Sequence, residues 1–135
     1  MSQPSRSPYF QSLYGQEYAD ELEDFLKSLD PDLNKLVQGF AYDMLWSREG
    51  LSHREKSLIT LTVLVATGRA EQLPLHIRGF LHCGGSVEDL RNIFIHIIGY
   101  SGFPSVLTAF RVLNEVVKEI DARRNPGHTG DEVFR

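Results

Sequence analysis

Residues 52–68, SHREKSLITLTVLVATG, decide the fold. Ile59, Thr60, Thr62, Val63 and Val65 are β-branched and suit a buried strand as well as a helix. The two ends of the stretch choose between them. Ser52 followed by Glu55 has the form of a capping box, in which the serine hydroxyl accepts from a first-turn amide and the glutamate carboxylate accepts from the serine N–H. Gly68 supplies the stop at the far end, so the spacing predicts a helix. No charge occurs between Ser57 and Thr67, and Leu58, Leu61, Leu64 and Val65 lie opposite Ile59, Val63 and Ala66. A helix apolar on all sides must be covered on all sides. In a chain of 135 residues such a helix is expected both at the centre of the fold and in a subunit interface.

Downstream, Pro74 fits only in the first turn of a helix, where amides lack an intrahelical acceptor, so a helix is expected to start near Glu71 and to end at Cys83 before Gly84-Gly85. Ser86 to Asp89 repeats the serine-to-acid cap, and Val87, Leu90, Phe94, Ile97 and Ile98 share one helical face. Pro104 opens a last long helix to about Arg123. Upstream, residues 17–29 carry Leu22, Phe25, Leu26 and Leu29 at helical spacing, and Asp30-Pro31 ends that helix and starts another that runs to about Trp46. Leu33, Leu36, Val37, Phe40, Met44 and Leu45 form its apolar stripe. The reading is an all-α fold of about six helices in one domain, 17–123, with a flexible arm over 1–16 and a mobile tail over 124–135.

A net charge of −4 without a basic stripe argues against nucleic acid as a partner. No apolar run is long enough to span a membrane, and the N-terminus has no long apolar region behind a basic start. A single cysteine, Cys83, excludes a disulfide framework or Cys-x-x-Cys centre within one chain and is expected as a small buried residue. A cytoplasmic location is the simplest expectation. His76, His82 and His96 lack metal-ligand spacing, so no metal is expected.

Chemistry concentrates between Gly68 and Pro104. His76 falls beside Phe80 and Cys83 at the edge of an apolar sector; it is either a core imidazole bonded to a backbone carbonyl or a general acid or base tuned by burial. Arg78 and His82, four apart on the opposite side, are either solvated residues near a helix end or an anion clamp. His96 and Tyr100, also four apart, are either an interfacial pair that satisfy each other or part of a site. Glu55 is a cap whose carboxylate, if half buried, would polarise a histidine.

The segments LSHREKSLITL, Gly68-Arg69 through Leu75-His76-Ile77-Arg78, and Tyr100-Ser101-Gly102-Phe103-Pro104 resemble the carboxymuconolactone decarboxylase family, which also contains the alkyl hydroperoxidase D-like proteins. The resemblance covers about residues 17–120, with DPDLNKLV and LWSREGLS similar to the decarboxylase branch. Relatives of the peroxidase branch carry Cys-x-x-Cys four residues before a histidine; aligned on His76, those positions are Arg69 and Gln72, and Ser57 stands at the proton-relay glutamate. Cys83 lies past His76 and does not replace the dithiol. The resemblance therefore implies the decarboxylase branch: cofactor-free loss of CO2 from 4-carboxymuconolactone, giving the 3-oxoadipate enol-lactone in aromatic catabolism. It further implies His76 as the acid that protonates the dienolate, Glu55 or His96 orienting the imidazole, and Arg78, with His82 and Tyr100, binding the carboxylated substrate. His82 departs from the Asn-Asn-Gly turn of that branch, which bears on substrate choice. The family's ring-like homo-oligomers imply a homo-trimer or homo-hexamer. The rival reading is a non-catalytic helical oligomer that binds a small molecule, with His76 bonded to backbone and no pocket beside it.

Overall fold

The computed structural model of the chain describes residues 6–125. Those residues form seven α-helices and no strand: α1 Pro8–Tyr14, α2 Gln16–Leu29, α3 Pro31–Leu36, α4 His53–Ala66, α5 Leu73–His82, α6 Val87–Ser101 and α7 Phe103–Arg124. Ser52 and Glu55 form the expected capping box at α4, with the Ser52 N–H donating to Glu55 Oε1 at 2.9 Å and the Glu55 N–H to Ser52 Oγ at 3.1 Å. Ser86 and Asp89 do the same at α6. Gly68, at φ 71°, turns the chain after α4 in a conformation that side-chain-bearing residues rarely adopt.

The helices bury two clusters. Leu61 and Val65 of α4 meet Ile77 and Phe80 of α5, Phe94 of α6 and Leu113 of α7 in the larger one. The uncharged helix is thus central, as its sequence requires, while Ile59 and Val63 on its other side remain about half exposed. The smaller cluster joins Phe10, Leu13 and Tyr14 of α1 to Ala19, Tyr42 and Trp46.

This corrects the expectation of an arm over 1–16: residues 8–14 are a packed helix. Ser7 caps it, accepting from the Tyr9 N–H at 3.2 Å; Pro8 fits the first turn, and Phe10, Leu13 and Tyr14 recur at helical spacing. The Ser, Pro and Gln content of the segment masked that pattern. A clasp holds it down: Arg6 Nε and Nη2 donate to Glu23 Oε1 at 3.2 and 2.9 Å, and the Ser7 N–H donates to Gln38 Oε1 at 2.9 Å. Residues 1–5 of the expected arm and 126–135 of the expected tail lie outside the described residues.

The second correction concerns residues 37–46. The segment Val37–Trp46 is π-helical, closing i→i+5 bonds, where an α-helix with an inward apolar stripe was expected. The wider turn brings residues four apart close to vertical alignment, and Asn34, Gln38, Tyr42 and Trp46 form the buried line. Leu36, Phe40 and Met44 therefore face outward in a row four residues apart, each more than half exposed, as are Phe25 and Leu29 of α2. Lys56 Nζ donates to the carbonyls of Trp46 and Arg48, closing the end of the π segment.

Candidate active site

Helix α5 carries the densest set of candidate residues and separates them by face. Arg78 and His82 line a cleft of about 690 Å³ formed with the α1–α2 junction and α7, whose walls include Tyr14, Tyr18, Asp121 and Arg123. The Arg78 side chain is only 11% exposed. Its guanidinium carbon lies 4.5 Å from the Tyr18 ring centroid, an orientation in which the ring face attracts the cation. Nη2 is 3.0 Å from Glu119 Oε1 without the alignment of a hydrogen bond, so this buried nitrogen keeps donor capacity. Asp121 Oδ2, on the same cleft wall, is likewise buried without a donor. His82 packs over Gly15, where a Cβ would lie 2.7 Å from the imidazole Cε1.

His76, on another face of α5, is mostly buried with its ring centroid 6.5 Å from that of Tyr14. Burial lowers its pKa to about 4, which leaves the imidazole neutral at neutral pH. Among the described residues it makes no hydrogen bond, so the backbone-bonded core histidine is not what forms. It does not itself line the cleft. Tyr14 stands in the cleft wall and against His76, and its hydroxyl is hydrogen-bonded to that of Tyr42. Burial raises both phenols, Tyr14 well above the ordinary value and Tyr42 to about 12.

The remaining candidates lie elsewhere. Glu55 is exposed and committed to Ser52, whose backbone and side-chain bonds lower the carboxyl pKa; it is not half buried and does not bond His76. His96 and Tyr100 lie with ring centroids 5.4 Å apart, inclined at 44° and without a hydrogen bond, and line a second groove of about 630 Å³ between α4 and α6, together with Arg54, Leu58 and Thr62. Neither Glu55 nor His96 orients the His76 imidazole through a hydrogen bond. Cys83 is exposed instead of buried in the core, its thiol 3.6 Å from the Leu13 carbonyl and raised in pKa by partial burial. Among the described residues no three His, Cys, Asp or Glu side chains gather where a metal ion could be held.

Sequence reasoning missed Tyr14, Tyr18, Tyr42, Glu119 and Arg123. Tyr14 and Tyr18 are four apart, a spacing that could have flagged them. Nothing local marks the other three, which reach the site only through tertiary packing.

A sequence profile of the carboxymuconolactone decarboxylase family matches residues 31–115, more than half of the chain. The chain is 29% identical over 106 residues to a 4-carboxymuconolactone decarboxylase of Acinetobacter baylyi, covering 78% of this chain and 79% of that protein. It is 28% identical over 109 residues to the nitrosuccinic acid decarboxylase npaB of Metarhizium robertsii, covering 78% of this chain and 74% of that protein. His76, Arg78, His82, His96, Tyr100 and Glu55 fall inside the span of the profile; Tyr14, Tyr18, Glu119 and Arg123 fall outside it.

Proposed function

We infer that this chain, which belongs to the carboxymuconolactone decarboxylase family, is a cofactor-free decarboxylase of 4-carboxymuconolactone or a related carboxylated lactone in the breakdown of aromatic compounds. One observation carries the placement of the site. The Arg78 guanidinium is buried on the Tyr18 ring with an unbonded Nη2 in a cleft whose wall, Tyr14, touches a neutral imidazole. A cation there suits a carboxylate that the substrate keeps. Placed on the departing carboxylate it would favour the ground state over the transition state.

Breaking the C–C bond releases CO2 and leaves an electron pair that delocalises through the unsaturated lactone onto its carbonyl oxygen. His76 stands behind the Tyr14 ring and outside the cleft wall, so its neutral imidazole is assigned to positioning Tyr14, in place of the charged acid that the resemblance implies. The proton that balances the loss of CO2 goes to the carbon α to the lactone carbonyl, which gives the enol-lactone, and is assigned to the Tyr14 hydroxyl, bonded to that of Tyr42. The assembly is assigned as a homo-trimer or homo-hexamer, supported by the exposed apolar row of Leu36, Phe40 and Met44, since neighbouring exposed apolar side chains mark an interface.

The test is CO2 release and loss of substrate absorbance with 4-carboxymuconolactone, comparing the native protein with His76→Ala after both are shown to be folded. The expected result is turnover that falls roughly 10²-fold in the variant. A folded native protein that releases no CO2 rejects this substrate. Because His76 does not line the Arg78 cleft, a second reading has support: a helical oligomer that binds a small molecule without turning it over. Saturable binding of the lactone without CO2 release would select it.

A further inference from the structure

We propose that Glu119 occupies the seat of the ligand carboxylate, and that Arg78 and Arg123 form a two-arginine clamp from which the ligand must displace it. The proposal rests on the assignment of the Arg78 cleft as the substrate site. A single oxygen, Glu119 Oε1, lies 3.0 Å from Arg78 Nη2 and 3.5 Å from Arg123 Nη2, bridging two cations that line the same cleft. Neither contact has the alignment of a hydrogen bond, so the carboxylate is held by charge alone. Its side chain is 57% exposed, which lets it swing into water at little cost.

Both cations are anchored independently of Glu119. Arg78 rests on the Tyr18 ring, and Arg123 Nη1 donates to Glu21 Oε1 at 2.7 Å. The clamp therefore keeps its shape when Glu119 leaves, and two guanidinium forks then face a vacated anion position. An incoming carboxylate regains the interactions that Glu119 gives up, and ligands without a carboxylate cannot repay its displacement. Glu119 thus lowers affinity for every carboxylate while rejecting neutral ligands, a selection made by competition. Tyr18, Glu119 and Arg123 lie outside the residues matched by the family profile, so this half of the cleft is supplied by segments beyond it.

The experiment is calorimetric titration of the full-length protein with succinate, for the native chain, Glu119→Ala, Glu119→Gln and the double variant Glu119→Ala/Arg123→Ala, each with its folded state confirmed by circular dichroism. Removing the internal carboxylate is expected to tighten succinate binding roughly 3- to 10-fold in both single variants, the factor that ion pairs to a half-exposed carboxylate carry. The double variant is expected to lose that gain. Unchanged or weaker binding in Glu119→Ala overturns the proposal, as does the absence of measurable succinate binding by both the native chain and that variant. Tighter binding by Glu119→Ala in a protein that releases no CO2 from the lactone keeps the clamp and rejects only the reaction. Turnover with unchanged succinate affinity keeps the reaction and rejects the clamp.

Discussion

The Tyr14 hydroxyl is hydrogen-bonded to the Tyr42 hydroxyl, 28 residues away in sequence, with both side chains buried. The bond ties α1 to the π segment beneath it and positions the ring that separates His76 from the Arg78 cleft. Tyr14→Phe leaves the Tyr42 hydroxyl buried without its partner, at an expected cost of about 1–2 kcal/mol. Tyr42→Phe should cost a similar amount, and the double variant less than the sum. Urea unfolding of the four proteins measures the coupling; additive losses would show that the bond contributes nothing.

His76 gives the stability a pH dependence of defined sign. Its pKa falls from 6.5 to about 4 on folding because burial disfavours the imidazolium. The unfolded chain binds the proton more tightly, so the stabilisation is complete above pH 6.5 and is lost as pH falls toward about 4. The shift corresponds to about 3 kcal/mol. His76→Leu should flatten the part of the stability profile between these limits. A variant whose unfolding free energy falls between pH 6.5 and 4 as steeply as the native protein's would contradict the assignment.

The clasp of Arg6 on Glu23 should govern whether α1 stays docked. Glu23 is 4% exposed, and Asn34 Nδ2 also donates to it, at 3.5 Å. Glu23→Ala leaves the Asn34 amide without its partner and removes one acceptor of Arg6, which keeps Asp20 and Gln11, and should destabilise by about 1–2 kcal/mol. Hydrogen exchange of the α1 amides should accelerate more than that of α6. Equal acceleration in both helices would mean that α1 does not open separately.

Leu36 and Phe40 lie in the exposed apolar row of α3 and the π segment. If the proposed oligomer is built on this row, the double variant Leu36→Asp/Phe40→Asp converts it to monomer without loss of helix, because burying two carboxylates in an apolar contact costs several kcal/mol. Light scattering reads the mass directly. An unchanged oligomer would place the interface elsewhere.

The sequence by itself determined where α3, α4 and α6 begin and where α4 ends, because the signals are local: Ser52 with Glu55, Asp30 with Pro31, Ser86 with Asp89, and the glycine after α4 each act within one turn of chain. It also placed Arg78 and His82 on one face of one helix, which spacing alone fixes, and they share a cleft. Three outcomes depended on contacts between distant segments. The π geometry of 37–46 turned Leu36, Phe40 and Met44 outward, although an α-helical period points them inward. A short helix in a polar-looking arm became core once it met Tyr42 and Trp46. The candidate residues divided among a cleft, a groove and a cap, since helical spacing orders residues along one helix and says nothing of which faces meet. Only the packing of α7 against α5 brought Glu119 and Arg123 to Arg78, and that pairing of charges has no trace in local sequence.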